Sequence, residues 1–444
     1  MTLQKELRAA LLLALPMAGA QLAQVSLHII DTLMCGRLGA LALAGAGLGT
    51  AAFSMIMLPL LGVIGAVAPM VSQAYGANDS EQVRRSLSQA LILGLLIALP
   101  GMILLTAAAP LMQWAGQPAE AVAIAGTYLQ AARWSLLPAL WVGALRYFLD
   151  SLSRPRIALI VTVSAIVINV LVNWVLMFGN LGFPALGVAG TGWATTLVNL
   201  WMLMALLLFA RWDPALKPYL YWTAQPDREM LLGLLRLGLP MALTIMAEVW
   251  LFVGLTFLMG LLGTVPLAAH QVALNISTLT FMFALGVANA TTVRVGQALG
   301  RGVPAAARQA GISGMLLGMS AMSLSGLVFW FAPRLVIAFY LNLEAAENQA
   351  VVDMTVLLLR LAALFQLFDA LQVTSQGALR GFKDTFVPMC ISFMAYWIVG
   401  LGSALFLGFY LERGAVGLWS GLIVGLAAAA FSLSARFFWR ARLA

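Results

Sequence analysis

Of the 444 residues, 62% are apolar and only 9% charged, where an ordinary soluble domain carries about 25% charged residues. That balance excludes a soluble globular protein and places the chain in a membrane. The net charge of +8 does not indicate nucleic acid, because the basic residues are scattered through short connections and form no patch with interleaved aromatics.

A helix needs about 20 apolar residues to cross a bilayer, and runs of that kind divide the chain into twelve predicted spans. Their limits are 7–34, 46–72, 88–112, 123–147, 157–178, 187–210, 231–260, 268–296, 310–332, 351–376, 386–409 and 415–437. The first run continues as a full span and lacks a signal-peptide cleavage pattern, so it is expected to be retained. Lys5, Arg8, Arg84, Arg85, Arg154, Arg156, Arg211, Lys217, Arg228, Arg301, Arg308, Arg380, Lys383 and the Arg436/Arg440/Arg442 tail all fall on one side. By the positive-inside rule that side is cytoplasmic and holds both termini. Cys35 and Cys390 lie in separate spans without metal-ligand spacing and are expected to be small core residues.

The longest polar connection, Arg211 to Glu229, holds three prolines and falls near the middle. It suggests an N-lobe of 1–210, a cytoplasmic linker of 211–230 and a C-lobe of 231–444. A shift of 224 positions supports the division. Leu15-Pro16-Met17-Ala18 falls on Leu239-Pro240-Met241-Ala242, Gly36 and Gly39 on Gly260 and Gly263, and Gln73-Ala74-Tyr75-Gly76 on Gln297-Ala298-Leu299-Gly300. Gly187 and Gly190 resemble Gly414 and Gly417 more loosely. Shared hydrophobicity alone does not give such matches. The predicted fold is an all-α integral membrane protein of twelve helices in two six-helix lobes, related by a pseudo-twofold axis along the membrane normal, with a cavity between them.

Three carboxylates stand inside these spans: Asp31, Glu248 and Asp369. A charge at mid-bilayer costs at least about 2.5–3.5 kcal/mol, so such residues normally take part in moving an ion or a substrate. Under the 224 shift Asp31 falls on Leu255 and Glu248 on Gln24. The fold itself therefore does not require an acid at either place. On the first span Gln21, Gln24, His28 and Asp31 form one polar stripe, within which His28 is either a proton partner of Asp31 or, more ordinarily, a buried and satisfied histidine. Asn169 and Asn173 lie one turn apart on the fifth span. With Asp31 and the Thr195 hydroxyl they offer the oxygens a hard cation prefers, although an Asn pair alone is more often helix glue. Gln366, Asp369 and Gln376 share a side of the tenth span, and Thr244 and Glu248 lie on the seventh. Two acids brought together there would raise each other's proton affinity. The structural alternative is a salt bridge from Arg360 to Asp369 or Asp353.

Several motifs carry a resemblance. Asp31-Thr-Leu-Met-Cys-Gly-Arg37, Leu267-Ala-Ala-His-Gln-Val-Ala-Leu-Asn275, Arg294-Val-Gly-Gln-Ala-Leu-Gly300, Gly377-Ala-Leu-Arg-Gly-Phe-Lys-Asp384 and Gly187-Val-Ala-Gly-Thr-Gly-Trp-Ala-Thr195 resemble the multidrug and toxic compound extrusion (MATE) family, in its bacterial NorM-like branch. The resemblance covers nearly the whole chain. It implies an exporter of lipophilic, mostly cationic drugs in the bacterial inner membrane, acting as a monomer without a cofactor. Alternating access would be driven by entry of a proton or sodium. It also implies that Glu248 and Asp369 are the C-lobe coupling acids and that Asp31, Asn169, Asn173 and Thr195 form the N-lobe cation site, where sodium could bind. Gln24, His28, Asn275, Phe365 and Gln366 are accessory candidates. At Phe365 the NorM pattern tends to carry tyrosine, so the C-lobe set has one hydroxyl fewer. A lipid-linked oligosaccharide flippase of the same superfamily is the alternative, but its cavity should be cationic for a pyrophosphate headgroup, and the midspan charges are mainly acidic. No clustered catalytic motif of an intramembrane enzyme is present.

Overall fold

The computed structural model describes residues 3–219 and 225–443, so part of the linker, 220–224, lies outside the described residues. Among the described residues there is no strand, and eleven helices are long and apolar enough to cross a membrane. They are Leu3–Gly36, Ala40–Gly76, Ser80–Trp114, Pro155–Phe178, Val188–Trp212, Arg228–Leu261, Thr264–Gly300, Pro304–Phe331, Ala346–Gly381, Phe386–Tyr410 and Gly414–Leu443. The fourth predicted span is built differently, as two helices, Ala119–Ala132 and Leu136–Ser151, joined by a 3-10 turn at Arg133–Ser135. Pro138 accounts for the break, because it has no N–H to bond the carbonyl four residues back, at Trp134. The protein is a multi-pass, all-α membrane protein.

Local chemistry sets the helix ends. Asp79 caps the third span by accepting a hydrogen bond from the Gln82 N–H at 2.9 Å, and Pro155 and Pro304 begin their helices where a missing N–H costs nothing. Gly39 and Gly263, paired in the repeat, precede equivalent helices with φ of 107° and 119°, which side-chain-bearing residues rarely adopt. The looser pair is also structurally alike. A Cβ on Gly190 would lie 2.7 Å from the Leu176 carbonyl, and one on Gly417 would lie 2.4 Å from the Leu407 carbonyl. In both places two helix backbones meet with no room for a side chain, as small residues permit in membranes.

Two compact units result, one of Gly19–Ala242 and one of Met1–Ala18 with Leu243–Ala444. Both divisions follow Leu-Pro-Met-Ala, at positions equivalent under the 224-residue repeat. In the first unit a continuous apolar core runs through Ile64, Val67, Leu87, Leu136, Leu140, Phe148 and Val198. In the second, Leu255, Met259, Leu358, Leu359, Leu418, Trp419 and Leu433 form the core. Leu13, Ala14 and Met17 of the first helix pack there on Val287, Ala290 and Val293.

The eleventh span departs from regular helix. Residues Met394–Gly400 and Phe406–Tyr410 are wound as π-helix, a widened form found most often at functional positions.

Candidate functional site

In the Gly19–Ala242 unit, the first and fifth spans bring Asp31, Asn169 and Asn173 together. Both amides donate to the same carboxylate oxygen, Asn169 Nδ2 to Asp31 Oδ1 at 3.0 Å and Asn173 Nδ2 at 2.7 Å. Asn169 and Asn173 are buried, and the carbonyl oxygen of each has no hydrogen-bond partner. Orphaned buried oxygens are costly. Two of them beside a carboxylate suit a small hard cation, which prefers oxygen donors. The Thr195 hydroxyl donates to the Thr191 carbonyl at 3.0 Å, and the buried Tyr128 lies beside Thr195 and Thr50 within electrostatic range of Asp31. Tyr128 is a member of this cluster that the sequence reading missed, because one tyrosine in an apolar run carries no local signal.

The stripe on the first span is real but shallower than expected. Ala20, Ala23 and Leu27 are buried, Gln21, Gln24 and Asp31 are partly buried, and His28 is exposed. The reading of His28 as a buried, satisfied histidine is therefore corrected. The outward turn of the helix at residues 28 and 29 puts its ring on the accessible face. Cys35 is buried, with Sγ 3.5 Å from Thr191 Oγ1, but Cys390 is exposed and is no core residue.

In the second unit Glu248 is partly buried, Asp369 is buried, and the two carboxyls lie within electrostatic range of each other. The salt-bridge alternative is not what forms. Arg360 is exposed, and Asp353 pairs with Arg334 at 3.5 Å on the surface. Arg380, at the end of the same helix, faces Glu248 electrostatically. Phe365 is buried among Phe252 and Trp419, with ring centroids 6.2 and 5.9 Å away. Another hydroxyl lies in the neighbourhood of the two acids. Tyr396, on the π-helical stretch, lies in range of both Glu248 and Asp369 and accepts a hydrogen bond from Gln372 Nε2 at 2.7 Å.

The accessory candidates separate. Gln366 ties three helices, donating to Thr280 Oγ1 at 2.8 Å and accepting from Ser325 Oγ. Asn275 is exposed and donates only to its own helix, at the Gln271 carbonyl. His270, in the same motif, is fully buried. Trp419 Nε1 donates to its Nδ1 at 3.2 Å, which leaves Nε2 to carry the hydrogen toward Thr256 Oγ1 at 3.0 Å. Among the described residues no group of three or more His, Cys, Asp or Glu residues is arranged to hold a metal ion.

The family model MatE matches residues 16–175 and 240–405, which is most of both halves. The chain belongs to the MatE family. A probable multidrug resistance protein NorM of Rhizobium meliloti (strain 1021) is 38% identical over 97% of this chain and 93% of its own. The multidrug resistance protein NorM of Burkholderia vietnamiensis is 37% identical over 96% and 92%. Among solved structures, the eukaryotic MATE transporter AtDTX14 superposes with a TM-score of 0.87 at 24% identity, over 99% of this chain and 98% of that one. A MATE in the bent conformation gives 0.88 at 21% identity, over 100% and 98%. The chain is thus a membrane transporter of the MatE family and not an enzyme, with the fold of the solved MATE transporters. The flippase alternative finds no support in these relatives.

Proposed function

We propose that the protein exports lipophilic, mostly cationic drugs and toxic organic compounds by cation-coupled antiport and alternating access. The observation that carries the coupling is the pair of separate carboxylate clusters inside apolar helices, Asp31 in one unit and Glu248 with Asp369 in the other. Multidrug resistance is what the NorM relatives are named for, and it comes to this chain with their similarity over almost its whole length.

The two clusters suit different parts of the task. Asp31, the orphaned amide oxygens of Asn169 and Asn173, and the nearby Thr195 hydroxyl form an oxygen set in which a sodium ion fits as the transported cation. Glu248 and Asp369 cannot both ionise cheaply in a dry site, so binding of one proton or one metal cation relieves their repulsion. Export against a gradient requires that such neutralisation favour one conformation over the other, since a ligand shifts an equilibrium only through its differential affinity for the two states. The basic connections support an orientation in the bacterial inner membrane with both termini cytoplasmic, and the two repeats support an N-lobe of 1–210 and a C-lobe of 231–444.

Ethidium transport by the purified protein in proteoliposomes, with a pH gradient or a sodium gradient imposed alone, tests the reading. Accumulation driven by one of the two supports it. Equal transport with and without any gradient marks a passive pore and refutes it.

A further inference from the structure

His270, one of two histidines in the chain, is fully buried on the eighth span. A polar ring buried among apolar helices is costly unless its nitrogens are bonded, and both of these are. Trp419 Nε1 lies 3.2 Å from Nδ1, and Nε2 lies 3.0 Å from Thr256 Oγ1, whose own hydrogen goes to the Phe252 carbonyl at 3.0 Å. An indole nitrogen can only donate. Nδ1 is therefore an acceptor, which fixes His270 as the neutral ring with its hydrogen on Nε2, and every donor in the series meets an acceptor.

The series closes on itself. Trp419 lies against Phe365 of the tenth span, with ring centroids 5.9 Å apart, and Phe365 meets Phe252 edge-on at 6.2 Å. Phe252, Thr256, His270, Trp419 and Phe365 thus join the seventh, eighth, twelfth and tenth spans in one circuit. Phe252 follows Glu248 by four residues and Phe365 precedes Asp369 by four, so each acid stands about one turn, roughly 5.4 Å, along its helix from the aromatic contact. The repeat supplies an internal comparison. At the positions equivalent to His270 and Trp419, 224 and 227 residues earlier, stand Ala46 and Gly192. The fold therefore requires neither side chain, and the circuit occurs only in the repeat that carries the pair of acids.

We infer that His270 is a positioning residue for the Glu248–Asp369 pair: held as a neutral ring between Trp419 and Thr256, it closes the circuit that fixes the seventh and tenth spans to each other one turn from the two acids. This rests on the coupling role proposed above for the acids. How strongly two carboxyls raise each other's proton affinity depends on their separation, and so does their capacity to share one cation. A fully satisfied hydrogen-bond network rigidifies the helices it joins. The imidazole itself carries no proton across, because a second hydrogen on Nδ1 would face the Trp419 N–H. The titratable groups nearest the circuit along these helices are Glu248, Arg360 and Asp369, with Arg413 ahead of the twelfth span, and none of them is bonded to His270.

The test has two arms, both on the full-length protein purified without a polyhistidine tag. In lipid nanodiscs, NMR of isotope-labelled histidine in a His28→Gln background reads His270 alone. The neutral ring with hydrogen on Nε2 is expected from about pH 8 to about pH 5, and the other tautomer, or a ring that takes a second proton near the ordinary histidine value of about 6.5, overturns the inference. In proteoliposomes, wild type, His270→Phe, His270→Gln and Asp369→Asn are compared under the gradient that drives wild type, with ethidium as the probe. The readings are the cation concentration for half-maximal accumulation and the rate of gradient-free exchange. His270→Phe, which keeps a ring but neither hydrogen bond, is expected to raise that concentration roughly tenfold, the scale of one or two hydrogen bonds, and to slow exchange far less. Glutamine offers both an acceptor and a donor and takes no proton, so His270→Gln should stay within about threefold of wild type. A wild-type value in His270→Phe while Asp369→Asn fails to accumulate overturns the inference and leaves the coupling acids standing. Equal loss of accumulation and exchange in both His270 variants also overturns it, since that marks a purely structural role. If Asp369→Asn itself accumulates ethidium normally, the underlying reading fails instead.

Discussion

Asn173 donates its amide hydrogen to Asp31 Oδ1 at 2.7 Å across 142 positions of sequence, while its own carbonyl oxygen is buried and unpartnered. An amide used only as helix glue would satisfy both ends. This one is satisfied at the end that meets the carboxylate.

Asp31→Asn is therefore expected to lose gradient-driven transport by more than tenfold. Asn169→Ala and Asn173→Ala should weaken apparent ion affinity by only several-fold each, the scale of one hydrogen bond. Initial rates of ethidium efflux against ion concentration measure both. Normal pumping by Asp31→Asn would reduce the cluster to helix glue.

Glu6 and Arg294 form a bidentate ion pair, Arg294 Nε to Oε1 at 2.8 Å and an Arg294 terminal nitrogen to Oε2 at 2.6 Å, with Glu6 buried. Removing one partner leaves a buried charge uncompensated, which costs about 3–5 kcal/mol. Glu6→Ala should lower the unfolding temperature in detergent by several degrees. Glu6→Ala/Arg294→Met, which removes both charges, should recover most of the loss, and no recovery would show that the pair contributes little.

Outside the spans, the carboxyl of Asp227 is held below its ordinary range, first by the backbone N–H of Met230 and then by Arg85 and the N–H of Glu229. A depressed folded-state pKa contributes stability above the unfolded value, near 3.9, and loses it as pH falls through the folded value. Asp227→Asn should therefore be less stable than wild type by a constant margin from pH 8 to pH 5, and the margin should shrink below about pH 4. Thermal unfolding across that range checks it, and a margin that grows in acid would reverse the sign of the argument.

Gly417 sets the approach of the last two spans. Gly417→Val places a branched side chain where a Cβ already lies 2.4 Å from the Leu407 carbonyl. Overpacking of that kind costs roughly 1–3 kcal/mol or more, so the variant should unfold several degrees lower while Gly402→Ala, with open space around it, should not. Equal stability of the two would mean the helices separate without cost.

The apolar runs were legible because crossing a bilayer leaves no alternative to a long helix, and the 224-residue repeat was legible because glycines such as Gly39 and Gly263 serve the same turn twice. Asp31 and Asp369 stood out by their cost alone. Tyr128 and Tyr396 did not, since a tyrosine in an apolar span fits as packing and the polar group beside it, such as Gln372 bonded to Tyr396, lies on another helix. The break at Arg133–Ser135 and the π-helical winding of the eleventh span were hidden for a related reason. Their hydropathy matches that of a continuous helix, and only Pro138 hinted at the first.

The central claim, that neutralisation of the midspan acids drives export, is tested most directly by ethidium accumulation in inverted vesicles carrying an imposed cation gradient, for wild type, Glu248→Gln and Asp369→Asn at matched expression. The amides keep shape and hydrogen bonding but cannot exchange a charge. Wild type is expected to accumulate ethidium only with the gradient, and both variants to remain at the level of empty vesicles. Accumulation at the wild-type rate in both variants would contradict the account.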